Sequence, residues 1–165
     1  MPATGTSLAS APKRAILGPA LTQGGFQHWY LACFPDSIVA VRQGAWNGIL
    51  YGMAGEALPI HLGLLGYLLM ALLKKQGVKR RQQVEATIES TPTSRLRANP
   101  NIVYDAAQLR SITFKSRTFG TLITPSITLE TTDGKKKKFG MQKPDFDKAL
   151  VQLKQMYPAL CNEQH

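Results

Sequence analysis

Between residues 45 and 73 the chain carries one formally charged side chain, Glu56, and sequence that reads as β-structure lies on both sides. Five glycines punctuate this apolar stretch (Gly48, Gly52, Gly55, Gly63 and Gly66), and Pro59 divides it near the middle. Each half is long enough for a helix of roughly 20 Å. Ala57 to Leu73 alone reaches the lower edge of a membrane span, but it contains Pro59 and His61. If the strands before and after it share one sheet, both lie on one side of any bilayer and the number of crossings is even. Two full spans need about 40 apolar residues, more than the stretch supplies. The expectation is a short helical hairpin that either dips into one leaflet or packs against protein, in this subunit or a second one. Its candidate contact residues are Trp46, Ile49, Leu50, Leu62, Leu64, Leu65, Leu68, Leu69 and Leu72. Gly44, Gly48 and Gly52 let helices approach closely, which serves either case.

Charge is concentrated just behind this stretch. Of a net +10, the eight residues from Lys74 to Arg81 contribute five basic side chains and no acidic one: Lys74, Lys75, Lys79, Arg80 and Arg81. A basic run at that place is where anionic headgroups would meet an inserted segment, and the positive-inside rule orients it to the cytoplasm. A solvated helix face that keeps a sticky segment soluble is the plainer explanation. Lys135 to Lys138 follows a turn, so alternate lysines point to opposite faces. It reads as a charged edge strand that resists aggregation, or as a second headgroup contact.

Other function classes find little support. A pI near 9.9 suits nucleic acid, but neither basic run interleaves aromatics for base stacking and no helix-turn-helix is present. The histidines are His28, His61 and His165, with no carboxylate spaced to work with them. There is no Gly-rich phosphate loop and no GxSxG elbow. The expectation is no enzyme, no cofactor, no metal and no small-molecule substrate. Cys33 and Cys161 fall in no metal-ligand or CxxC spacing and are expected as reduced thiols in an intracellular protein, with one disulfide between them as the alternative. Gly18 and Pro19 interrupt the short apolar run before them, so no export signal is read.

Along the rest of the chain, residues 1–25 are rich in Ala, Gly, Ser, Thr and Pro and are expected to form a disordered arm. Residues 26–43 read as two strands around Pro35-Asp36. Within the insert, 44–95, the part after Lys74 has helix-forming composition, with Val84 and Ile88 on one face and Thr91-Pro92 as its stop. Residues 101–142 read as a β-meander whose strongest turn signal is Asp133-Gly134. Pro144, followed by Asp145 and Asp147, opens a helix over 144–157. Phe146, Ala149, Leu150, Leu153, Met156 and Tyr157 make its apolar face. Residues 159–165 form a tail.

The segments Tyr30 to Arg42, IVYDAAQLRSITF at 102–114 and TLETTDGKKKKFGM at 128–141, followed by an amphipathic helix, resemble the bacterial pleckstrin-homology-like domains. More narrowly, they resemble uncharacterised members with a Gly-rich apolar insert after the first hairpin. The resemblance implies an α+β fold, a strongly bent antiparallel β-barrel capped by a C-terminal amphipathic helix, here with an inserted helical hairpin. It implies no enzyme activity and carries no ligand preference. The resulting expectation is a non-enzymatic binding or scaffold module on the cytoplasmic side of the inner membrane, with an anionic membrane surface as partner. A soluble, self-associating adaptor with the insert buried in a homo-oligomer is the alternative, and a nucleic-acid-binding protein the second.

Overall fold

A computed structural model describes residues 14–22, 28–43, 75–98, 100–116 and 125–164. The expected apolar hairpin, its contact residues from Trp46 to Leu72, and Lys74 lie outside the described residues.

The strands are β1 (Ala15–Thr22), β2 (His28–Phe34), β3 (Ser37–Gln43), β4 (Ile102–Asp105), β5 (Leu109–Lys115), β6 (Ser126–Thr131), β7 (Lys136–Met141) and β8 (Cys161–Gln164). The helices are α1 (residues 75–90), a single turn α2 (Thr93–Leu96) and α3 (Lys143–Met156). A 3-10 turn over Ala106–Gln108 joins β4 to β5. All eight strands form one open sheet in the order β4-β3-β2-β1-β7-β6-β5-β8. Every pairing is antiparallel except β5 with β8. The class is α+β.

Two segments depart from expectation. The arm assigned to residues 1–25 contains β1, and β1 joins the two halves of the sheet by pairing with both β2 and β7. Ala15, Leu17 and Ala20 are buried, and the register shifts between Leu17 and Ala20. Gly18-Pro19 falls at that irregularity, so the N–H that proline lacks is not needed for the ladder. The tail assigned to 159–165 likewise contains β8, which lies along the edge of β5. The Leu160 carbonyl begins that pairing by accepting from the Ile112 N–H at 2.7 Å.

The inner face of the sheet holds the main core. Leu17, Leu31, Ile38, Ile112, Phe114, Ile127, Leu129 and Phe139 meet Phe146, Ala149, Leu153 and Tyr157 of α3. Those four helical residues recur at i, i+3, i+7 and i+11, one stripe. Phe146 meets Phe114 edge to face, with centroids 6.1 Å apart. On the outer face of β2 and β3 a second apolar cluster forms: Tyr30, Ala32, Phe34, Val39 and Val41 against Ile88 of α1 and Leu96 of α2. Covered on both sides, β2 is buried at all seven positions.

The strands that flank the insert, β3 and β4, pair directly from Ser37↔Asp105 to Ala40↔Ile102. Both therefore belong to one sheet, as the even-crossing argument assumes.

Candidate functional site

α1 returns the chain from the apolar stretch to the sheet. It runs unbroken through Gly77. Val84 and Ile88 seat its second half on the outer apolar cluster. Its C-terminal carbonyls are capped by Arg14, whose guanidinium donates to the carbonyls of Ile88 (3.0 Å), Glu89 (2.7 Å) and Thr91 (3.2 Å) and to Thr93 Oγ1 (3.1 Å). A cation there also complements the negative end of the helix dipole. The same guanidinium lies 4.8 Å from the centroid of the Phe34 ring.

Helix and sheet thus share a direction that can be read from the register. Gln43, His28, Leu21, Gly140 and Ser126 form one transverse row across β3, β2, β1, β7 and β6. α1 ends at Arg14, near the start of β1. Further up, Arg80, Arg81 and Val84 line a shallow open cleft with Pro19, His28, Tyr30 and Gln43. The first turn of α1 therefore extends past the row, at the end of the sheet where β3 stops. The end of β3 and the start of α1 thus lie at one end of the sheet.

Of the five basic residues singled out in the sequence, Lys74 lies outside the described residues, and the other four separate into two kinds. Lys75, Lys79 and Arg80 are exposed and make no ion pair among the described residues. Arg81 is half-buried and turned inward. Its Nε donates to Glu85 Oε1 at 2.9 Å and its Nη2 to Asp145 Oδ1 at 2.5 Å. Burial works against the charge on Arg81, but the hydrogen bonds to Asp145 and Glu85 outweigh it and hold its pKa above that of an ordinary arginine. Arg81 is thus corrected from a ligand-facing cation to a strut joining α1 to the first turn of α3. The reason is that Asp145 is itself buried and requires a partner. Val78 stands exposed between Lys75 and Lys79, so the outward stripe at the start of α1 is mixed apolar and cationic. In the cleft, burial holds the His28 imidazole below its usual pKa of 6.5.

Lys136 to Lys138 pair with β6 on one side and keep an unpaired edge on the other among the described residues. β7 is internal to the sheet, although its pairing with β1 covers only Phe139, Gly140 and Met141. Lys135 pairs with Asp133 at 2.8 Å and Lys136 with Glu130 at 3.3 Å. Lys137 lies opposite the core residue Leu129 and places its Nζ 5.7 Å from the centroid of the Trp29 ring. Lys138 makes no ion pair among the described residues. The position of these lysines relative to α1 has no local signal in the sequence, because it depends on β1 pairing with β7.

Among the described residues no helix is long and apolar enough to cross a membrane. The chain matches no known family model and no curated protein.

Proposed function

We propose that this chain is a non-enzymatic binding module of pleckstrin-homology-like architecture that docks on the cytoplasmic face of an anionic membrane. The strand order β4-β3-β2-β1-β7-β6-β5, with α3 packed on the inner face, supports the architecture. It is the order expected of a bent meander whose first strand closes onto its last, with a helix over one opening. The observation that carries the docking is the cationic first turn of α1. Lys75, Lys79 and Arg80 stand exposed where the chain emerges from 29 residues with a single formal charge. Each such cation near an anionic surface is worth about 1 kcal/mol. With the apolar stretch entering one leaflet, the three would lie at headgroup depth.

Co-sedimentation with vesicles tests this. The full chain is expected to pellet with equimolar phosphatidylcholine and phosphatidylserine and to bind phosphatidylcholine alone much more weakly. Replacing Lys75, Lys79 and Arg80 by Gln should make the anionic binding releasable by high salt. Equal binding to both vesicle types would remove the lipid half of the reading. A sharply defined oligomer that ignores vesicles would favour the soluble adaptor.

A further inference from the structure

The reading above uses only α1, yet the register brings a second group of cations to the same end of the sheet. β1 and β3 run in one direction and β7 in the opposite one, so the end of β3 and the start of β7 lie at the same end of the sheet. Lys138 is two residues beyond Gly140 and Lys137 is three. At about 3.3 Å per residue they stand roughly 7 to 10 Å past the row. β3 and β7 are three strand spacings apart, about 14 Å along the sheet. Arg42 is exposed one residue before β3 ends. The acids near β7 are already engaged: Glu130 by Lys136 and Arg110, and Asp133 by Lys135. Behind the row, Arg81 engages Glu85 and Asp145. Among the described residues, the cations at this end without an ion pair are therefore Arg42, Lys75, Lys79, Arg80, Lys137 and Lys138, contributed by three separate elements.

Resting on the membrane reading, we infer that β7 supplies a second, independent contact with the anionic bilayer. Lys137 and Lys138 would engage headgroups from the sheet while Lys75, Lys79 and Arg80 engage them from α1. Two cationic contacts on separate elements at one end of the sheet fix it end-on to the surface, where a single contact would let the domain swivel. Leu21 on the row and Val78 between Lys75 and Lys79 add exposed apolar side chains to this cationic end, which suits a bilayer; a nucleic-acid backbone would have no use for them.

The test is the affinity of the full chain for equimolar phosphatidylcholine and phosphatidylserine vesicles at physiological ionic strength. The Lys137→Gln/Lys138→Gln variant is expected to bind about 30-fold more weakly, roughly fivefold per charge. Lys138→Gln alone leaves the Trp29 contact intact and should lose about fivefold. The Lys75→Gln/Lys79→Gln/Arg80→Gln variant should lose on the order of a hundredfold. If the β7 variants bind within twofold of the unaltered chain while the α1 variant is weakened, the second contact is overturned and the membrane reading stands. If neither set changes affinity, both fall. Tighter binding to a DNA duplex than to these vesicles, lost in the same variants, would reassign the surface to nucleic acid and overturn the proposal.

Discussion

Tyr157 ends α3 with its hydroxyl against two backbone carbonyls of the β2–β3 hairpin, Phe34 O and, at 2.9 Å, Ser37 O. Replacing it with Phe removes the only donor supplied by this side chain, and chemical denaturation should show a loss of about 1–3 kcal/mol. Arg81 and Asp145 hold α1 to α3 in the same way. Arg81→Ala leaves a buried carboxylate short of its partner and should cost about 1.5–3 kcal/mol. Restoring charge with Lys should recover part of that, because a lysine cannot reproduce the forked donation to Glu85 and Asp145. Burial raises the pKa of both thiols, that of Cys161 to about 11 and that of Cys33 further. A thiol reagent at neutral pH is expected to label Cys161 slowly and Cys33 only when the chain unfolds, a difference readable by mass spectrometry. At this scale the sequence is legible where burial alone decides: the stripe from Phe146 to Tyr157 marks itself by period. The polar partners are not, since Tyr157 finds its carbonyls more than a hundred positions away and Arg81 finds Asp145 across 64.

Elements built on short-range signals are those the sequence announces. Pro35-Asp36 and Asp133-Gly134 each close a hairpin, Gly134 with φ at 83° as such a turn requires. Pro144 falls in the first turn of α3. β1 and β8 were hidden for a different reason. Their stability comes from neighbours far along the chain, and their local patterns are broken: Gly18 and Pro19 interrupt the apolar run of Ile16, Leu17 and Leu21 in β1, and β8 carries the polar Asn162 and Glu163. The ion pair of Lys154 with Glu163 adds a tie between α3 and β8 that no local pattern reveals. Gly18 gives a direct check on β1. At φ +140° an L side chain is strained, and a Cβ there would stand 3.0 Å from Tyr30 Cδ1 and 3.1 Å from the Trp29 carbonyl. Gly18→Ala should destabilise the whole sheet by about 1–3 kcal/mol in equilibrium unfolding; a disordered arm would tolerate it without effect. The basic run shows the same division within one element. Its position behind the apolar stretch is visible in sequence, whereas the inward turn of Arg81 and the alignment with β7 follow from the packing of α1 on β2 and β3.

For the molecule as a whole, acidity and membrane contact are the two conditions expected to act. Because burial lowers the pKa of His28, the folded chain binds fewer protons than the unfolded one just below 6.5. Stability contributed by His28 is therefore fully present above 6.5 and is lost as pH falls through the lowered pKa; the step should vanish in His28→Gln. A second loss follows at lower pH. Hydrogen bonds from Arg97 hold Asp36 below 3.8, and those from Lys135 take Asp133 to about 2, so both contribute above 3.8 and fade as pH drops through their folded values. Unfolding midpoints across the acid range would separate the two steps. The proposed docking requires the apolar stretch of residues 45–73 to enter a bilayer. The chain has two tryptophans, Trp29 buried in the core and Trp46 within that segment. The most direct measurement is fluorescence quenching by brominated acyl chains in equimolar phosphatidylcholine and phosphatidylserine vesicles. Quenching that disappears in Trp46→Phe is the predicted result, and tryptophan emission unchanged by brominated lipid in the unaltered chain would contradict it.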